Sequence, residues 1–208
     1  MPLQDESILH LSQLTASKAP APGGGAICAM VGAFAAALAA MVAHLTKDKK
    51  GYEAVSADME TLIQQANDLQ SLLLGDMDRD AASFTDYMQA LKLPKQTQQQ
   101  KDERQQALQI ALKKATLVPL QTGKHIALVF PLAQLAVMKG NTTAVTDGLS
   151  AAMLARSALR GVLLNVKINL QSIEDEAFVC ATAEACRQLE LYAEEAEKEA
   201  LALQSKLQ

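Results

Sequence analysis

Aromatic residues are scarce in this chain: 3% of 208 residues, with no Trp, four Phe and three Tyr. Sheets draw on aromatic and β-branched side chains to fill their pleats, whereas Ala, Leu, Gln and Glu dominate here. The shortage argues against an all-β architecture. Cysteine is limited to Cys28, Cys180 and Cys186, without a CxxC pair, and His10, His44 and His125 stand far apart with no Cys or carboxylate at metal-ligand spacing. Neither a disulfide framework nor a metal site is expected. Charge of one sign is also lacking: 19 basic against 23 acidic residues leave a net charge of -4, which favours neither nucleic acid nor an anionic membrane. The start, MPLQDESILH, places acid ahead of its apolar residues, the reverse of a secretory signal. These absences together point to a cytoplasmic, metal-free protein.

What is present is helical periodicity over a length that suits one domain, residues 1–208. A short helix is expected over Gln4 to Ser17, and a long one from Tyr52 to Leu91, stopped by Pro94. A polar segment starting at QTQQQ becomes amphipathic, with Pro119 and Pro131 expected to kink or divide it before Gly140. Two more helices follow, over Thr142 to Leu170 and from IEDEAF to the end. No strand pattern, long linker or repeat interrupts them, so the predicted fold is all-α, a single-domain up-and-down helical bundle with a buried Ala/Gly-rich central helix.

That central helix is PGGGAICAMVGAFAAALAAMVAHLT, Pro22 to Thr46, in which Gly23 to Ala43 hold only Gly, Ala, Cys and apolar side chains. Twenty-one such residues would span about 30 Å, enough to cross a bilayer. Its side chains divide by size rather than polarity. Ile27, Met30, Val31, Phe34, Leu38, Met41, Val42 and Leu45 form one stripe, and Ala29, Ala33, Ala36, Ala40 and Ala43 a second. The expectation is a soluble core helix whose large face fills the core and whose small face lets a neighbouring backbone approach. Gly23, Gly24 and Gly25 precede it as a tight turn at a helix start, where free N–H groups can also hold an anion.

Two polar clusters stand out. In the long helix, Leu62, Ala66, Leu69, Leu73, Met77, Phe84, Tyr87 and Leu91 keep 3 and 4 spacing, and Asp80 occupies the step between Met77 and Phe84. Asp76 falls near the edge of that face, and Asp78 points outward. Burial and a neighbouring carboxylate would both raise the proton affinity of Asp80, as a proton-transfer group requires; a polar bundle residue paired with Lys or Arg fits the same pattern. In GVLLNVKINL, Gly161, Asn165 and Asn169 share one face, where two amides suit either a planar heterocycle or a neighbouring helix. Asp147 projects on a similar face, about 27 Å away along a straight helix.

Taken in order, PGGG, D-x-x-x-F, LPK-x-T, VP, GN and NV-x-IN resemble the cyclodeaminase/cyclohydrolase family of folate enzymes over nearly the whole chain. The resemblance implies an all-helical bundle that forms a homodimer, with a tetrahydrofolate derivative bound near the subunit interface and no cofactor beyond that substrate. It implies no nucleic-acid or membrane partner. By position, the family's catalytic aspartate falls on Asp80 and its LPK lysine on Lys95, suited either to a folate carboxylate or to stabilising charge near the reacting centre. Gly23, Gly24, Gly25, Asn141, Asp147, Asn165 and Asn169 match its remaining motifs as substrate-binding candidates. Two departures are visible: Ala26 stands where the family often has Ser, and KDKKG replaces a more continuous basic run. The implied activity is formation of 5,10-methenyltetrahydrofolate from the 5-formimino compound, hydrolysis of the methenyl compound, or both. An inactive helical scaffold or a folate-binding module of the same fold is the alternative.

Overall fold

In a computed structural model of the chain, which describes residues 2–203, seven α-helices are joined by short connections: α1 (Ile8–Thr15), α2 (Gly24–Lys47), α3 (Ser56–Leu91), α4 (Gln98–Ala127), α5 (Val129–Lys139), α6 (Val145–Leu170) and α7 (Glu176–Ala202). Among the described residues there is no strand. Three short 3-10 turns, Leu3–Asp5, Glu53–Val55 and Thr142–Ala144, take up helix ends that the sequence pattern assigns to continuous helix. Ser7 divides the first of these, because its hydroxyl accepts from the His10 N–H and so opens α1. Thr97 opens α4 with a reciprocal capping box: its hydroxyl accepts from the Gln100 N–H at 3.2 Å, and the Gln100 carboxamide oxygen accepts from the Thr97 N–H at 3.2 Å.

The two expected breaks in the fourth helix behave differently. Pro119 lies inside α4 and does not divide it; the helix ends instead at Leu128, where α5 begins. Pro131 thereby falls in the first turn of α5, where its missing N–H leaves no intrahelical bond unmade. Pro119 does leave one unmade, at the carbonyl of Ala115 one turn back. The Asn169 side chain of α6 donates to that oxygen at 2.8 Å, replacing the bond the proline cannot give.

Contacts at the helix ends establish the up-and-down order. The start of α2 meets Asp80, late in α3, while Asn141 ahead of α6 bonds Thr46 and Leu45 at the far end of α2. Leu91 and Asp76 of α3 pair with Arg104 and His125 of α4, so those two also run antiparallel. Helix α2 is the hub, packed against α3 and α6 along its length and against α4 and α5 locally.

Its small face packs as expected, and its large face fills the core only in part. The alanine stripe faces inward: Ala29, Ala33, Ala36, Ala40 and Ala43 are all buried. The large stripe is divided: Phe34 is 44% and Leu45 50% exposed, with Met41 exposed as well, while Ile27, Met30, Val31 and Leu38 are half-buried and only Val42 is fully buried. A helix with neighbours on three sides can seat them closely only through small side chains, so the bulk is displaced to the fourth side. By length and composition α2 and Thr142–Leu170 could each cross a membrane, yet 56% and 50% of their most apolar windows are buried within the bundle.

Candidate active site

The turn before α2 explains the first feature of the site. Gly23 is the N-cap of α2, with no side chain to satisfy the first-turn N–H groups. Asp80 supplies that cap from another helix: its Oδ2 accepts from the Ala26 N–H at 3.0 Å. The close approach demands glycine at one position, since a Cβ on Gly25 would collide with the Asp80 carboxylate. A Cβ on Gly23 would meet nothing within 4 Å, and one on Gly24 only the Asn165 Nδ2 at 3.9 Å.

Around this contact lies a pocket of about 280 Å³. Gly23, Gly24 and Gly25 form one wall, Asp80, Ser83, Phe84 and Tyr87 of α3 a second, and Asn165, Ile168 and Asn169 of α6 a third. The apolar stripe of α3 thus leaves the core at Asp80. Up to Met77 its members are buried, whereas Phe84 is 40% exposed and turns with Tyr87 to the pocket. Their periodicity is that of core residues, and for that reason sequence reading missed them as site residues.

Removal from water holds the Asp80 carboxyl above the usual carboxylate range; the Ala26 N–H opposes this and the charge of Asp76 adds to it. Burial, with the charge of Asp80 second, likewise pushes up the Cys28 thiol nearby. Of the two carboxylates, Asp76 is the more deeply buried, at 1% exposure, although helical spacing put it at the edge of the face and Asp80 at its centre. Asp78, expected to point outward, is half-buried and accepts from the Leu3 N–H at 2.7 Å.

The amides have distinct settings. Asn169 is oriented by its bond to Ala115, and Asn165 donates weakly to the Gly161 carbonyl at 3.4 Å. Gly161 itself serves packing, since a Cβ there would meet the Cys28 Sγ at 2.5 Å.

Three further candidates lie outside the pocket of the single chain. Lys95 is exposed in the α3–α4 connection. Asn141 and Asp147 sit at the opposite end of the bundle, because α2 between them and the glycine turn is 24 residues, about 35 Å, long. There Asn141 is structural in its bonding: its side-chain oxygen accepts from Lys49 Nζ at 2.7 Å and from the Thr143 N–H at 3.1 Å, while its backbone N–H donates to Thr46. Asp147 is half-buried in the first turn of α6.

The molecule is thus an all-α bundle in which a half-buried carboxyl, a glycine turn and two amides line one pocket. Residues 7–188 match the profile of the formiminotransferase-cyclodeaminase family, and the chain belongs to that family. It is 39% identical over 163 residues to a methenyltetrahydrofolate cyclohydrolase of Methylorubrum extorquens, with 78% of each chain covered. It is 35% identical to the formimidoyltransferase-cyclodeaminase of Sus scrofa over 84% of its own length, but spans only 33% of that longer protein. Among solved structures, a formiminotetrahydrofolate cyclodeaminase from Thermotoga maritima superimposes with a TM-score of 0.86 at 30% identity, covering 99% of this chain and 97% of that one.

Proposed function

We propose that this chain acts on the one-carbon bridge between N5 and N10 of tetrahydrofolate, with Asp80 moving the proton. The observation that carries this reading is the Asp80 carboxyl, poised above its ordinary range at the wall of a pocket that a planar, amide-recognised ring can enter. In the cyclodeaminase direction, N10 attacks the carbon of the protonated formimino group (an amidinium) on N5, Asp80 takes the N10 proton and returns it to the departing NH2, and ammonia leaves the 5,10-methenyl cation. In the cyclohydrolase direction, water adds to the methenyl carbon, Asp80 takes a proton from that water, and one C–N bond opens as nitrogen is protonated. Both routes pass through a tetrahedral carbon with no change in oxidation state, so neither calls on a redox cofactor beside the folate and, in the cyclohydrolase direction, water.

Lys95 and the glycine turn are assigned to substrate binding, Lys95 to a carboxylate of the folate tail. The pocket of one chain is small beside the roughly 300–1,000 Å³ of most ligand sites, which supports a homodimer whose second copy completes the enclosure. The surface for it is the apolar stripe of α2, Phe34, Met41 and Leu45, beside exposed Met153, Leu164 and Ile168 of α6; Ile168 also lines the pocket. A cytoplasmic enzyme, with no role at a membrane or on nucleic acid, fits this use of its apolar helices.

The test follows the methenyl absorbance with purified protein. Enzyme-dependent appearance from 5-formiminotetrahydrofolate identifies the deaminase, and enzyme-dependent loss of 5,10-methenyltetrahydrofolate identifies the cyclohydrolase. Asp80→Asn should keep the fold and lose at least about a hundredfold in turnover. Inactivity of the wild-type protein in both assays, or full activity of the variant, sinks the reading.

A further inference from the structure

Asp76 is the one charged side chain fully buried among the described residues, and the chemistry above does not use it. It sits one helical turn before Asp80, where side chains four apart on a helix have Cβ atoms about 5–6 Å from each other. Its partners come from two helices. From its own helix, Arg79 Nε donates to Oδ1 at 2.8 Å while Arg79 Nη2 donates to the Leu72 carbonyl at 3.0 Å. From α4, His125 Nδ1 lies 2.7 Å from Oδ2, and His125 Nε2 lies 2.8 Å from Gln121 Nε2. An ionised carboxylate only accepts, so Nδ1 carries the proton, and the neutral ring then accepts the Gln121 amide at Nε2; an imidazolium would need that amide reversed.

We propose that Asp76, clamped between His125 and Arg79, is a positioning residue for the reaction: a fixed negative charge behind Asp80 that keeps Asp80 a strong proton acceptor, with His125 holding the charge in place. The proposal rests on the reading that Asp80 moves the proton. Like-charge repulsion between the two carboxylates accords with the raised proton affinity of Asp80. Other groups do not duplicate the effect. Facing Asp80 are the Ala26 N–H and Cys28 of α2, Ser83 and Tyr87 of its own helix and the neutral amides of Asn165 and Asn169 across the pocket, while the neighbouring Arg79 guanidinium is tied to Asp76. Along the outer groove beside Asp76, Lys113 and Lys114 are engaged by Asp175 at 2.7 Å and Asp86 at 2.6 Å. Asp76 lines that groove and not the substrate pocket, so it acts through Asp80 rather than on the ligand.

The test is the pH dependence of kcat/KM for the wild type, Asp76→Asn, His125→Leu and His125→Gln. Removing the charge in Asp76→Asn should move the acidic limb to lower pH, with KM at the pH optimum little changed. His125→Leu strips a donor from Asp76, leaves its charge less compensated and should move the limb upward. His125→Gln can still donate to Asp76 and should restore the wild-type limb. Folded Asp76→Asn and His125→Leu proteins with an unshifted limb overturn the proposal, whatever they lose in kcat or Tm. If Asp76→Asn does not fold, the His125 pair decides by the same limb. An active Asp80→Asn protein removes the underlying reading as well; an inactive one beside unshifted Asp76 and His125 variants removes this proposal alone.

Discussion

At the scale of single residues, the glycine turn separates into positions with different demands. Gly25→Ala forces its Cβ against the Asp80 carboxylate, so the helix start or Asp80 must move. We expect a loss of about 1–3 kcal/mol in stability and of tenfold or more in turnover, read by denaturant melts and the methenyl assay. Gly23→Ala, with open space around it, should stay within about 0.5 kcal/mol of the wild type. Asp80 carries a stability signature of its own. Its folded-state proton affinity is raised, so between the unfolded and folded pKa values the native state binds more protons than the unfolded chain. Its contribution is therefore fully present below the ordinary carboxylate range and is lost as pH rises through the folded value. Asp80→Asn, whose carboxamide oxygen can still accept from the Ala26 N–H, should consequently gain stability relative to the wild type on going from about pH 3 to about pH 8. Denaturation at the two pH values checks the sign, and a relative loss at the higher pH refutes it.

At the scale of elements, helix existence was legible because 3 and 4 spacing, the placing of prolines and the scarcity of aromatics agree with one another. How far the large face of α2 enters the core was not. Where polarity is uniform, size is the only signal, and size alone does not say how many neighbours a helix has. The buried side proved to be the alanine side, so Ala36→Leu should overpack the hub by about 1–3 kcal/mol or more, measured by the denaturation midpoint, while Phe34→Ala should barely alter the stability of the single chain. Pro119 was equally opaque. A proline inside a helical pattern ordinarily marks a break, yet here the orphaned Ala115 carbonyl is satisfied from α6 by Asn169, a bond between residues 54 apart that no local pattern reveals. Pro119→Ala restores a local N–H for that oxygen and competes with Asn169. The expected outcome is an unchanged or higher Tm with a several-fold rise in KM; an unchanged KM would show that Asn169 needs no such anchor to serve the pocket.

At the scale of the whole molecule, the motif residues do not converge within one chain. Asp80, the glycine turn, Asn165 and Asn169 meet at one end of α2, Asn141 and Asp147 lie at the other, and Lys95 is exposed in a connection. Helical rise alone already set Asp147 about 27 Å from Asn165, but the placement of Asn141 and Lys95 depends on how the helices pack, which the order of motifs does not give. The unpartnered face of α2 and α6 offers a physical resolution. If two copies of the proposed homodimer pair antiparallel across that face, the Asp147 end of one chain would lie against the Asp80 end of the other, and each pocket would draw on both. Phe34→Asp, which puts a charge in the middle of the stripe, should then yield a folded monomer in size-exclusion chromatography with little turnover. Mixing is the sharper experiment. If Asp80→Asn and Asp147→Asn are each inactive because each damages a shared site, unfolding and refolding them together makes mixed dimers in which one of the two sites has both aspartates. Random pairing forms such dimers half the time, so the mixture should recover about a quarter of wild-type activity. A mixture no more active than its separately refolded components would place Asp147 outside a site shared with the Asp80 of a second copy.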